Sequence, residues 1–211
     1  MIDVAVYNQQ GEKAGSLSID QAALGGHVNP LLLKQAISAY HANTHLGTAA
    51  SKSRGMIEGS TRKLYKQKGT GNARRGDKKA NILRGGGHGK AKVGHDWRLD
   101  MPRKQRQLAN LNALLAKAVD GEIKLVEGLS FEKPSTKQFQ TVVDSLGVAK
   151  SCLFAMQDTR TPAGVSARNL DNITVTHIDR INVFSLLTHR YFVAEKGAFQ
   201  AYLDRAAKNA A

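Results

Sequence analysis

The residues best suited to chemistry in this sequence are cations interleaved with glycine. Residues 62–76, RKLYKQKGTGNARRG, contain six Lys or Arg, three Gly and one aromatic residue, Tyr65. Lys and Arg donate charge-assisted hydrogen bonds to phosphate oxygens, and glycine lets backbone N–H groups approach an anion closely. The ring of Tyr65 offers a face on which a nucleic-acid base can stack. The pattern therefore predicts binding to nucleic acid, either RNA or DNA, rather than a merely solvated basic loop.

Other site chemistries fit the sequence poorly. A phosphate loop needs Gly, four residues and then Gly-Lys-Ser/Thr, but Gly89-Lys90 is followed by Ala91, and Arg84 stands where the first Gly belongs. His41 and His45 share a helix face but lack the Glu and third ligand of a zinc site, so a surface pair is expected. Cys152 lies in an apolar run typical of packing, and the acidic residues are scattered and expected to be mostly solvated. We expect no catalytic group, metal, cofactor or small-molecule substrate.

The positive charge is concentrated in one quarter of the chain. The net charge is +14, and residues 52–106 hold 17 Lys and Arg against four Asp and Glu, with 10 of the 20 glycines. Such a patch favours nucleic acid or an anionic membrane surface as the partner. No apolar run of about 18 residues and no signal-peptide pattern occurs, so a membrane is not expected. The single cysteine fits a reducing cytoplasm.

Residues 49–100 show no helical or strand periodicity. Between positions 60 and 95 only five large apolar side chains occur, at Leu64, Tyr65, Ile82, Leu83 and Val93. Ordering each residue costs roughly 1–2 kcal/mol, which burial of five side chains cannot offset. We therefore predict an extended basic, glycine-rich arm that is disordered alone and becomes ordered on a partner.

The remaining sequence alternates between strand and helix patterns. A strand or short hairpin is predicted over residues 2–19. Helices are predicted to begin at Asn29-Pro30 and Met101-Pro102, the second with Leu108, Leu111, Leu115 and Val119 on one face. Further strands are predicted at 123–126, 152–156 and 173–178, and further helices at 135–146, 163–170, 183–187 and 195–207. This alternation predicts one α/β domain over residues 1–211, a three-layer α/β/α arrangement with a mostly parallel sheet, into which the arm is inserted.

Residues 67–74, QKGTGNAR, resemble the bacterial type of large ribosomal subunit protein four, whose hallmark is Lys-Pro-Trp-Arg-Gln-Lys-Gly-Thr-Gly-x-Ala-Arg. Similarity continues, in the family's order, at residues 39–43, 84–87, 101–106, 167–170 and 181–187. Two departures stand out. Leu64-Tyr65 replaces the family's Pro-Trp, and residues 88–95 replace a Phe-Gly-Pro-x-Pro-Arg segment, so the path of the return limb is not predicted.

The resemblance implies a structural protein of the large ribosomal subunit, located in the cytoplasm, that binds large-subunit ribosomal RNA and neighbouring ribosomal proteins. Its arm would line the peptide exit tunnel, with Lys68, Gly69 and Thr70 near the tip and Arg74 holding RNA. The charge pattern and the resemblance together predict the following RNA-binding residues: Lys52, Arg54, Arg62, Lys63, Tyr65, Lys66, Gln67, Lys68, Gly69, Thr70, Gly71, Arg74, Arg75, Lys78, Lys79, Arg84, Lys90, Lys92, Arg98, Arg103, Lys104 and Arg106.

Two alternatives remain at this point. One is a regulator that binds messenger RNA or DNA and represses its own transcript, which selective retention of one transcript would support. The other is an α/β enzyme with a basic loop that guides its substrate. It requires nucleotide binding by the chain without residues 52–98.

Overall fold

The chain forms two compact units in a computed structural model that describes residues 1–210, with side chains up to residue 206. The first unit comprises residues 1–40 and 100–211, and the second comprises residues 41–99. The first unit holds the regular secondary structure and is described here, and the second is described with the candidate interface.

A six-stranded sheet organises the first unit. Its strands are β1 (Ile2–Tyr7), β2 (Lys13–Ile19), β3 (Ile123–Val126), β4 (Cys152–Met156), β5 (Ile173–His177) and β6 (Tyr191–Glu195). Their spatial order is β2-β1-β3-β6-β4-β5, with β2 antiparallel to β1 and every other neighbouring pair parallel. The α-helices are α1 (Pro30–Asn43), α2 (Arg103–Val119), α3 (Thr136–Ser145), α4 (Pro162–Ala167), α5 (Val183–Thr188) and α6 (Lys196–Ala210).

Side chains on opposite faces of the sheet enter two separate hydrophobic cores. In β4, Leu153 and Ala155 join the core that also contains residues of α1, α2, α5 and α6. Cys152, Phe154 and Met156 join the second core, with residues of α3 and α4. Because successive strand residues point to opposite faces, this division places helices on both sides of the sheet. The predicted α/β class with a mostly parallel sheet is therefore confirmed.

Local capping explains where several helices begin. The Asn29 side chain accepts a hydrogen bond from the backbone N–H of Leu32 at 3.2 Å, ahead of Pro30 at the first helical position. Ser135 caps α3 in the same way, and Asn182 and Ser185 form a capping box on α5. These side chains satisfy amides that have no partner within the helix. The predicted starts of α1 and α3 are confirmed.

Several details of this unit differ from the predictions. The central strand β6 was not predicted, because it is a short run buried in the middle of the sheet and leads directly into α6 without a turn residue. In α2, Leu115 is buried and Leu111 packs against the core as predicted, whereas Leu108 and Val119 are exposed. The buried face also includes Ala109, Ala113 and Leu114. The predicted helix over 163–170 is also shorter, and Ile178 lies in a 3₁₀ turn rather than in a strand.

A buried ion cluster joins α2, β3 and the chain just before β6. Glu122 is buried and contacts Lys117 Nζ at 2.5 Å and Arg190 Nε at 2.8 Å, while Lys117 also donates to the Arg190 carbonyl at 3.0 Å. Glu122 is therefore an exception among acidic residues that are mostly exposed, as expected. Cys152 is buried as expected, and burial raises the pKa of its thiol to about 12.

Candidate nucleic-acid interface

The second unit, residues 41–99, contains almost no regular secondary structure. After α1 ends at Asn43, these residues form turns, bends and one isolated bridge between Ser53 and His88. The predicted loss of periodicity between residues 49 and 100 is confirmed. The unit nevertheless has a definite path, because hydrogen bonds join its outgoing limb, residues 43–65, to its return limb, residues 73–99.

The limbs are joined first at the neck of this irregular hairpin. The Asn43 side chain accepts from the Leu99 N–H at 2.9 Å and donates to the Leu99 carbonyl at 3.1 Å. His95 N–H donates to the Gly47 carbonyl at 3.0 Å. Gly47 has φ +57°, and a Cβ there would overlap the His95 carbonyl oxygen, so this close approach requires glycine.

The same pairing fixes the atypical return segment, residues 88–95. Ser51 N–H donates to the Lys92 carbonyl at 2.9 Å, and Lys92 N–H donates to Ser51 Oγ at 2.8 Å. His88 N–H donates to the Lys52 carbonyl at 3.0 Å. The return limb therefore runs beside residues 47–53, which the sequence alone did not establish.

The chain reverses direction at residues 66–72. Leu64 N–H donates to the Gly76 carbonyl at 3.0 Å, and the Tyr65 hydroxyl donates to the Ala73 carbonyl. Between these contacts, Gly69 and Gly71 adopt φ values of +84° and +69°, which glycine accommodates without strain. The three predicted tip residues, 68–70, lie within this reversal.

The unit lacks a hydrophobic core. Among residues 41–99, all of which the structure describes, only Asp77 and Gly87 are buried. Asp77 accepts from Arg54 Nη2 at 2.8 Å, and a Cβ on Gly87 would overlap the Arg54 backbone. Hydrogen bonds and one ion pair hold the limbs together. Each such interaction contributes only about 0.5–1.5 kcal/mol. Because so little surface is buried as well, these interactions do not offset the entropy lost on ordering 59 residues.

Asp77 is a second buried acidic residue. Nothing local in the sequence marks its burial, because its partner Arg54 lies 23 residues earlier in the chain. It is a structural residue of the candidate interface that sequence reasoning missed.

The predicted RNA-binding side chains of this unit are available to a partner. The unit carries 14 Lys and Arg against three Asp and Glu. Within the unit, Arg54 is the one cation that lies within 4.0 Å of a carboxylate. The predicted residues that are half-buried are Tyr65, Thr70, Arg75 and Lys79, and the others, from Lys52 to Arg98, are exposed. So many exposed and unpaired cations give this surface a strongly positive electrostatic potential.

The remaining predicted cations lie at the start of α2, in the first unit. Arg103, Lys104 and Arg106 are exposed, and the first turn of α2 contains no acidic residue. A helix N-terminus carries partial positive charge, so cations there are unfavourable by roughly 0.3–1 kcal/mol each at low salt. A phosphate would relieve this repulsion and accept from the free backbone N–H groups. Local electrostatics thus favour an anion at this helix start.

Other site types have little structural basis. Within the described residues, no group of three or more His, Cys, Asp or Glu side chains could hold a metal ion. Among the helices of residues 1–210, none combines the length and apolar composition needed to cross a bilayer.

Comparison with known proteins gives a consistent result. The family model described as "Ribosomal protein L4/L1 family" matches residues 17–205. Proteins named large ribosomal subunit protein uL4 are similar along nearly their whole length. The one from Dehalococcoides mccartyi is 34% identical over 197 residues, 93% of this chain and 94% of that protein. The one from Moorella thermoacetica is 35% identical over 195 residues, with 92% and 94% covered. The one from Natranaerobius thermophilus is 31% identical over 198 residues, with 94% and 96% covered.

The fold and the site define the class as an α/β sheet protein with a strongly cationic insertion that lacks a hydrophobic core. The chain belongs to the ribosomal protein L4/L1 family. The family expected from residues 67–74 is confirmed, as is the cytoplasmic, ribosomal location. Proteins of this family are structural components and not enzymes, so the alternative of an α/β enzyme is set aside.

Proposed function

We propose that this protein is a structural constituent of the large ribosomal subunit that binds ribosomal RNA through residues 41–99 and the first turn of α2. One observation carries the proposal. A segment of 59 residues has only Asp77 and Gly87 buried, yet carries 14 cations, of which one is ion-paired within the segment. A close field of phosphates supplies the interactions that such a segment lacks internally.

The mechanism is electrostatic and depends on the path of the hairpin. Cations on both limbs neutralise closely spaced phosphates and release condensed counterions, which drives association. The hydrogen bonds between the limbs hold the cations at fixed spacing, and arginine adds bidentate contacts to phosphate. Neighbouring ribosomal proteins are further partners in this proposal.

The chain reversal at residues 66–72 is the part that we propose lines the peptide exit tunnel. The support is the resemblance of residues 67–74 to the family's loop together with the position of residues 68–70 in the reversal. Glycine and threonine at the tip present little bulk, which suits a wall past which a growing peptide must move. Arg74 and Arg75 follow the tip and are available to anchor it on RNA.

The test uses the full-length tagged chain, sedimented from a bacterial lysate through a magnesium-containing gradient at high salt. One variant neutralises five cations of the hairpin by replacement with Gln, at Lys63, Lys66, Lys68, Arg74 and Arg75. A matched variant neutralises five exposed cations of the first unit, at Lys13, Lys34, Lys137, Lys150 and Arg168.

The wild-type chain and the matched variant are expected to co-migrate with large subunits, whereas the hairpin variant is depleted from them. Equal incorporation of both variants would contradict the role assigned to residues 41–99. Failure of the wild-type chain to enter large subunits would contradict the proposed function itself.

A further inference from the structure

Four aromatic rings cluster at the neck of the hairpin, and none of them is among the predicted RNA-binding residues. Trp97 lies 4.5 Å from His95, with the ring planes at 80°, and 5.6 Å from His45, with the planes at 46°. His45 in turn lies 5.2 Å from His41 at the end of α1. Distances are between ring centroids. This neck cluster is contained within residues 41–99.

The cluster remains open to solvent although its rings contact one another. Trp97 is 49% exposed, and all three histidines are exposed. Burial of a tryptophan is strongly favourable, at about 25 cal/mol for each Å² removed from water. The half-exposed indole of Trp97 therefore offers a face on which a planar ligand would be stabilised.

Hydrogen bonds hold the chain on both sides of Trp97 in the folded hairpin. The two hydrogen bonds between Asn43 and Leu99 hold the chain two residues after Trp97. The bond from His95 N–H to Gly47 holds the chain two residues before it.

The surroundings indicate what the neck cluster would bind. The segment that carries it has 14 cations against three acids, so an approaching partner is a polyanion. Proteins recognise unpaired RNA bases by stacking them on aromatic rings, and imidazole nitrogens beside the stack can hydrogen-bond to base edges. A base within a duplex already stacks on its neighbours and cannot occupy this position.

We propose that the neck cluster binds one unpaired RNA base, stacked on Trp97 and flanked by His45 and His95. The inference rests on the proposed function, because it assumes that RNA contacts residues 41–99. It adds a specific site for a single-stranded nucleotide to a surface that otherwise contacts phosphates without regard to base pairing.

Trp97 is the only tryptophan in the chain, so its fluorescence reports directly on this site. The purified full-length protein is titrated with a fluorescently labelled single-stranded RNA and with the same RNA in a fully paired duplex, at one salt concentration. Binding is followed independently by anisotropy of the label. Saturable quenching of Trp97 is expected with the single strand and not with the duplex.

Two variants distinguish stacking from a structural role. Trp97→Leu is expected to weaken binding of the single strand by about 5- to 150-fold, the range for loss of one stacked base, and to leave duplex binding unchanged. Trp97→Phe, which keeps a smaller ring, should restore part of the loss. Leu99→Ala is the matched control, since Leu99 is 51% exposed and its hydrogen bonds to Asn43 use only the backbone.

Several results would overturn this inference. Single-stranded RNA that binds without changing Trp97 fluorescence would refute the stacking site and leave the proposed function intact. Equal losses of single-strand affinity for Trp97→Leu and Leu99→Ala would also refute the stacking site. So would a loss of affinity for Trp97→Leu that is the same with the single strand and the duplex. If neither RNA binds the wild-type protein, the site and the proposed function fail together.

Discussion

Replacing Glu122 by Ala should destabilise the α/β unit more than any surface charge change. Glu122 is 6% exposed and is the shared partner of Lys117, at 2.5 Å, and Arg190, at 2.8 Å. The substitution leaves Lys117, 8% exposed, with the Arg190 carbonyl as its remaining partner. Arg190 is largely exposed and can turn toward water, so the main cost comes from the buried ammonium group of Lys117.

The size of the effect follows from the cost of an uncompensated buried charge. Removing one member of a buried pair costs about 3–5 kcal/mol of unfolding free energy. For a chain of this size, each kcal/mol lowers Tm by about 2–4 °C, so Glu122→Ala should lower Tm by roughly 6–20 °C. The matched control is Glu127→Ala, which breaks the exposed Glu127–Lys196 pair at 3.1 Å and should cost at most about 1 kcal/mol.

Thermal unfolding should be followed by far-UV circular dichroism, because nearly all helical residues belong to the first unit whereas Trp97 reports on the second. A double variant, Lys117→Met with Glu122→Leu, removes both charges and should recover most of the lost stability, since buried pairs are often replaced by apolar residues without loss. Equal Tm values for Glu122→Ala and Glu127→Ala would refute the reasoning, as would a double variant no more stable than Glu122→Ala.

Three other positions give predictions that a reagent or one substitution can check. Burial raises the pKa of the Cys152 thiol from 9.0 to about 12, so a thiol reagent at pH 8 should modify it only after unfolding. Because the unfolded chain loses this proton at lower pH than the folded protein, the unfolding free energy should fall as pH rises from about 9 toward 12. Asp77→Ala releases Arg54, which can then contact one additional phosphate, so the slope of log affinity against log salt for RNA binding should steepen by roughly 0.7–0.9. The control Glu58→Ala removes the same charge without releasing a cation. Ser135→Ala removes the cap of α3 and should lower the unfolding free energy by about 1 kcal/mol, measured in urea.

Each of these predictions has a contradicting result. Rapid modification of Cys152 in the folded protein would show that the thiol is not buried. Equal salt slopes for Asp77→Ala and Glu58→Ala would show that Arg54 was already available to RNA. Unchanged stability of Ser135→Ala would show that the hydroxyl does not act as a cap.

The parts of the fold that the sequence predicts are those with local causes. Asn29 before Pro30 and Ser135 before Thr136 place a side-chain acceptor at a helix start, and the alternation from Ile2 to Ile19 produces a hairpin. Strand β6 has no comparable local sequence signal. Because it is buried on both faces, its residues do not alternate between apolar and polar, and no turn residue separates its end from α6. In α2, the spacing of the apolar residues identifies Leu115 as buried, but the burial of Ala109 and Ala113 depends on contacts with other elements, which the sequence does not specify.

For residues 41–99, the sequence predicts the charge and the lack of periodicity, but not the path. The cations are visible in composition, and nearly all the predicted ones are exposed or half-buried in this unit. The path depends on backbone hydrogen bonds between residues far apart in sequence, such as Ser51 with Lys92, and these leave no sequence pattern. The disorder of this segment without a partner stays a prediction. Limited trypsin digestion tests this prediction. Trypsin should cut the free chain within residues 41–99, and ribosomal RNA should suppress this cleavage.

The most direct test of the account is the salt dependence of binding between the purified full-length protein and large-subunit ribosomal RNA. With six to ten phosphates neutralised, affinity should fall roughly 10³- to 10⁵-fold between 50 and 200 mM salt. The variant with five hairpin cations replaced should show a clearly shallower slope than the variant with five cations of the first unit replaced. A flat salt response of the wild-type protein, or equal slopes for the two variants, would contradict the claim that residues 41–99 hold RNA through their cations.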